Sequence, residues 1–111
     1  MRLNTFCIQM NVIKPSRIRE FAKSHARAGA SLEMWLAKAK HAKWKNLNDV
    51  HATFAGADQV GVGTGKKVLV FNIGGNNYRL ICAAHFNRGN LYVLRFLTHA
   101  EYSKNDWKKE L

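Results

Sequence analysis

Four side chains in the C-terminal half of this chain can carry proton transfer and charge neutralisation: Arg79, Arg95, His99 and Tyr102. An unperturbed imidazole titrates near pH ~6.5, so His99 can give or take a proton at neutral pH. Arginine stays charged and presents a planar fork that grips two phosphate oxygens at once. A free phenol titrates near ~10, so Tyr102 is a hydrogen-bond partner and needs help to act as a base. Lys66 and Lys67 add positive charge just ahead of an apolar run. These are the groups that metal-free breakage of an RNA phosphodiester requires. The 2′-hydroxyl must lose a proton, the leaving 5′-oxygen must gain one, and charge on the phosphate must be offset. Tyr92 and Phe96 could stack bases from a sheet surface.

Each of these residues also has an ordinary structural reading. A histidine following a strand can be a capping or surface residue, and strand arginines can sit on a solvated face. Tyr102 can pack on a sheet edge. Tyr92, Leu94 and Phe96 alternate as a core strand does, which favours burial over stacking. His25 and His85 fall on mostly apolar patterns and read as structural. His41 and His51 have no partner at metal-ligand spacing, so neither a zinc site nor a cofactor is expected. Gly65-Lys66-Lys67 hints at a phosphate-binding loop, but Val60 stands where that pattern needs glycine and Lys67 where it needs Ser or Thr.

The elements that would position these groups follow from periodicity and turn chemistry. Met10 to Ile13 reads as a short strand, with residues 1–9 either a leader or an extension of it. Pro15-Ser16 opens a first helix with Ser16 as N-cap and Ile18, Phe21 and Ala22 on its apolar face. Ala28-Gly29-Ala30 interrupts it, and Ser31 caps a second helix with an apolar stripe of Leu32, Trp35, Leu36 and Ala39. A short helical turn capped by Asn48 follows, then a glycine-rich loop from Gly56 to Gly65. Val68–Ile73, Tyr78–Phe86 and Leu91–Thr98 read as three strands joined by Gly74–Asn77 and Asn87–Asn90, an antiparallel meander. Strand parity places Asn72 opposite Arg79, Arg79 opposite Thr98, and Arg95 opposite Cys82 on the other face. A one-residue bulge in the second turn would instead bring both arginines to one face. The Lys-rich tail, Glu101 to Leu111, is compatible with a short helix anchored by Trp107.

The predicted fold class is α+β, with two N-terminal helices packed on a small, mostly antiparallel sheet. At 111 residues the chain makes one domain, taken here as residues 10–106, with 1–9 as leader and 107–111 as tail. Apolar residues make up 47 %, enough to fold around one core. The 18 Lys+Arg against 7 Asp+Glu leave a formal charge of +11, which favours polyanionic partners, nucleic acid or an acidic protein. No apolar run suits a signal peptide or a membrane span, and Cys7 and Cys82 lack motif spacing, so a reduced cytoplasmic setting is expected.

Three stretches carry a more specific signal: Trp44 to Val50, Val70 to Leu80 and Leu91 to Tyr102. Their order and spacing, above all FNIGGNNYRL with THAEY, resemble the HigB toxins of bacterial type II toxin–antitoxin modules, in the wider RelE-like superfamily. The resemblance spans roughly Met10 to Asp106. It implies an mRNA interferase working without a metal, in many members at the ribosome. It also implies a helix-turn-helix antitoxin, HigA, as partner. On this resemblance Arg79 matches the strand arginine of the family's YRL segment and Tyr102 its C-terminal tyrosine. His99 stands where relatives carry a basic or histidine side chain. Lys66 and Lys67 match the basic residues leading into the sheet; Arg95 departs from the pattern, lying inside the last strand and not after it, and is expected to hold the RNA backbone through its charge. The expectation is therefore a catalytic set of Arg79, His99 and Tyr102, with Lys66, Lys67 and Arg95 holding RNA. The alternative is a non-catalytic module that blocks translation by occupying RNA or the ribosome.

Overall fold

The computed structural model describes residues 10–111. The readings made for residues 1–9, Cys7 among them, lie outside the described residues. Strand β1 (Asn11–Ile13) leads into helix α1 (Ser16–Ser24), a single 3-10 turn (Ala26–Ala28) and helix α2 (Gly29–His41). Helix α3 (Leu47–Thr53) precedes β2 (Asp58–Gly61), β3 (Lys67–Ile73), β4 (Tyr78–His85) and β5 (Asn90–Thr98). Two short helices, α4 (His99–Ser103) and α5 (Trp107–Glu110), complete the chain. The sheet order is β1-β5-β4-β3-β2, with β1 parallel to β5 and every other pair antiparallel. The α+β class and the mostly antiparallel sheet are as the sequence predicts.

One sheet face carries the main core. Leu69, Phe71, Leu80, Cys82, Leu91 and Phe96 pack there against Ile18 of α1 and Leu32, Trp35 and Ala39 of α2. Phe71 lies at its centre, in aromatic contact with Trp35, Trp44 and Phe54. The opposite face holds a smaller cluster of Val68, Val70, Ile81 and Trp107. Strand β3 is therefore covered on both faces, and this is why its sequence is apolar with little alternation. Cys82 is fully buried, and burial pushes its thiol well above the usual range. Among the described residues no helix is long and apolar enough to cross a membrane.

Several local expectations are corrected. Ser16 is the first residue of α1, not its cap, because Pro15 already has helical angles. Ser31 lies inside α2, which begins at Gly29 directly from the 3-10 turn. The cap of α3 is Asn46, whose side-chain oxygen accepts from the Asp49 N–H, and Asn48 is the second residue inside the helix. Within the expected loop, Asp58–Gly61 forms an edge strand paired with Lys67–Val70. Gly63 lets this hairpin meet the tail: its N–H donates to the Lys108 carbonyl at 2.9 Å, and an added Cβ would lie 3.1 Å from that oxygen.

The decisive correction concerns β5. Ile81 pairs with Arg95 and Cys82 with Val93, so Leu94 is an extra residue on β5. This bulge lies inside the strand, not in the turn. It turns Phe96 and Val93 to the helix-packed face, while Leu94 joins the opposite cluster. Arg95 and Arg79 thereby share the face opposite the helices, and Arg79 pairs with Leu97, not Thr98. The pairing of Asn72 with Arg79 is as expected.

Candidate functional site

Arg79 and Tyr102 meet at one end of the second sheet face. The guanidinium carbon of Arg79 lies 5.5 Å from the centroid of the Tyr102 ring. Among the described residues Arg79 is the buried charged one, 9 % exposed. Its Nη1 donates to the Asn76 carbonyl at 3.2 Å and to the Tyr78 carbonyl at 3.0 Å, and its Nη2 donates to the Asn76 side-chain oxygen. These bonds tie the guanidinium to the β3–β4 turn, where Gly74 (φ 62°) and Gly75 (φ 69°) adopt left-handed angles. The FNIGGNNYRL stretch thus encodes both the arginine and the turn that fixes it.

Tyr102 is placed from the other side, by α4. Thr98 caps this helix: its hydroxyl accepts from the Glu101 N–H, and the Glu101 carboxylate accepts from the Thr98 N–H. The His99 N–H donates to the Asn77 carbonyl at 2.9 Å, which fastens α4 to the turn that holds Arg79. The Tyr102 ring stacks on Trp107 at 5.3 Å, and the Trp107 indole N–H donates back to the Tyr102 carbonyl at 3.0 Å. Partial burial raises the Tyr102 phenol above its ordinary value, nearby Asp58 raises it further, and Arg79 pulls it down. The phenol therefore keeps its proton at neutral pH and is a hydrogen-bond donor there.

His99 and Tyr102 are i, i+3 neighbours on α4, a spacing that puts both on one side of the helix. His99 is exposed, and its Nδ1 lies 3.5 Å from the Ser103 hydroxyl. Arg95 is half-exposed: its Nη1 donates to the Leu94 carbonyl at 2.9 Å, and its Nε pairs with Glu110 at 3.5 Å. The same Leu94 carbonyl accepts from Arg17 of α1, so the bulge is held from both sides. Lys66 and Lys67 are exposed but sit at the opposite end of β3 from Asn72, the partner of Arg79. Five residues of strand separate Lys67 from Asn72, roughly 17 Å at ~3.3 Å per residue. The structure therefore brings Arg79, Tyr102 and His99 to one end of the sheet, places Arg95 next along the face, and sets Lys66 and Lys67 apart.

Four residues of this site escaped the sequence reading. Asp58 acts on Tyr102 from an edge strand that was read as loop. Asn76, half of the Arg79 clamp, was read only as turn chemistry. The Thr98–Glu101 capping box was legible in the S/T-x-x-E spacing and was passed over. His85, expected among core residues, is exposed and edge-on to Tyr92.

No curated protein matches the chain in a sequence comparison. A family match does cover residues 28–105, a span holding α2, α3, all of β2 to β5, the Arg79 clamp and Tyr102. That family is described as HigB_toxin, the RelE-like toxic component of a toxin–antitoxin system, and the chain belongs to it.

Proposed function

We propose that the chain is the toxin's catalytic form: an endoribonuclease that cleaves mRNA, on the ribosome in the cytoplasm, without a metal. The observation that carries this reading is the fixed Arg79 guanidinium beside Tyr102, on a sheet end where α4 also presents His99. In the proposed step the 2′-oxygen attacks phosphorus and the bond to the 5′-oxygen breaks. The 2′-hydroxyl proton leaves to a base and the 5′-oxygen takes a proton from an acid. The products are a 2′,3′-cyclic phosphate and a 5′-hydroxyl. Arg79 offsets the charge that builds on the phosphate. His99 moves a proton, and the protonated Tyr102 phenol donates a hydrogen bond to the reacting group. Lys66, Lys67 and Arg95 hold the RNA backbone. A HigA-like helix-turn-helix antitoxin is the proposed partner that silences the toxin.

The test separates binding from chemistry. His99→Ala retains affinity for RNA and loses cleavage by a factor on the order of 10²–10⁴, as removal of a general acid or base does. The wild-type products carry 5′-hydroxyl ends that accept label from polynucleotide kinase without prior dephosphorylation. Growth arrest with no new RNA ends would instead favour translation block by occupancy.

A further inference from the structure

The second sheet face continues past the Arg79–Tyr102 end to Tyr92 and His85. Trp107 packs on Val68, Val70 and Ile81, with Leu94, Leu97 and Leu111 at the margin. Tyr92 and His85 belong to neither core cluster formed by the described residues. Tyr92 pairs with Ala83 on β4 and with Ile13 on β1, and Ala83 shares the face of Ile81 by strand parity. Among the described residues the Tyr92 ring thus has a methyl group directly across on β4 and His85 two residues further along that strand. The ring is half-buried, and His85 beside it is exposed.

Their rings meet edge-on, with centroids 5.2 Å apart and planes at 84°. Such a contact uses one face of one ring, so the pair still offers a π surface. Cations surround this end of the sheet. Arg88 is exposed in the β4–β5 turn and lines, with His85 and Asn87, an open depression of about 440 Å³. Lys66 lies just ahead of β3, whose start adjoins the His85 end of β4 by the antiparallel register, whereas Lys67 alternates onto the face of Leu69 and Phe71. Aromatic rings among cations on an open sheet face match what single-stranded nucleic acid takes: bases stack and phosphates pair.

We infer that Tyr92, steadied by His85, is a nucleobase-stacking subsite for single-stranded RNA, with Arg88 and Lys66 taking the flanking phosphates. This rests on the RNA reading above. Tyr92 pairs with Ala83, four residues along β4 from Arg79, roughly 13 Å at ~3.3 Å per residue. The base on Tyr92 therefore lies a few nucleotides from the phosphate on Arg79, with Arg95 between them. Lys66 serves this distal segment and not the scissile phosphate.

The experiment uses the full chain and a 2′-O-methyl oligoribonucleotide, which lacks the attacking hydroxyl, carrying 2-aminopurine at each position in turn. Wild type binds and quenches the probe strongly at one position distal to the cleavage site. Tyr92→Ala weakens binding by about 5- to 100-fold, the range a single base–aromatic stack carries. Tyr92→Phe binds as wild type. Tyr92→Leu keeps the apolar bulk and the fold, checked by thermal melting, but loses the quenching. Equal affinity and equal quenching in wild type and Tyr92→Leu would overturn the subsite while leaving the RNA reading intact, and Tyr92 would then be free for a protein partner. A wild-type chain that binds the oligonucleotide at no position overturns the subsite, while cleavage of ribosome-bound message is decided separately by mapping RNA ends.

Discussion

Arg79 is valuable to the proposed chemistry because so few of its degrees of freedom remain. The Asn76 and Tyr78 oxygens fix its guanidinium, and the Tyr102 ring lies against it. A lysine carries the same charge but cannot span those acceptors with a planar fork. Arg79→Lys should therefore lower cleavage of ribosome-bound message by about 10²-fold or more, the scale on which one oriented charge-stabilising group acts. Quantified primer extension over a time course measures it. Tyr102 gives a second test at this scale. Its proton is held by burial and by Asp58 against the pull of Arg79, and the net direction is upward. An alkaline difference titration of phenolate absorbance, wild type minus Tyr102→Phe, should have its midpoint above the ordinary tyrosine value near ~10. Asp58→Asn should move that midpoint down. The sign for stability follows: between the unfolded and folded values the unfolded chain sheds the proton first, so the Tyr102 contribution is present below the ordinary value and lost as pH rises beyond it.

At the scale of elements, Thr98 is the joint between β5 and α4. Its capping box sets the angle at which His99 and Tyr102 leave the sheet. Thr98→Ala should cost about 0.5–2 kcal/mol in denaturant unfolding, the usual cost of an N-cap, and should lower activity more than that instability explains. Trp107→Ala should cost about 3–5 kcal/mol, because it empties the cover over Val68, Val70 and Ile81 and removes the stack beneath Tyr102. The main elements were legible because their patterns are strong: Leu32, Trp35 and Ala39 at helical spacing, and three apolar runs between turn residues. Strand β2 was not legible. Asp58-Gln59-Val60-Gly61 has one β-branched residue and two glycine-rich flanks, and only pairing with β3 makes it a strand. The bulge at Leu94 was illegible for a related reason. Its cause is long-range: Arg17 of α1 reaches the Leu94 carbonyl, and both cores claim side chains from β5. Alternation alone could not show that Tyr92 and Phe96 lie on opposite faces.

For the molecule as a whole, α1 and α2 take one face of the sheet and leave the other to the C-terminal segment and to a surface bearing Arg95 and Tyr92, with Arg79 buried at its end. The +11 charge is large for 111 residues, and it lends that open face its long-range attraction for polyanions. Membership of the HigB toxin family rests on the match over residues 28–105. The proposed cleavage of mRNA at the Arg79 end is the central claim. It is tested most directly by inducing the chain in bacteria and mapping new mRNA 5′ ends, with wild type beside Arg79→Ala and His99→Ala. The account predicts growth arrest with new 5′-hydroxyl ends inside translated frames for wild type, and none above background for either variant. Arrest by wild type without new ends, or cutting by both variants at the wild-type level, would contradict it.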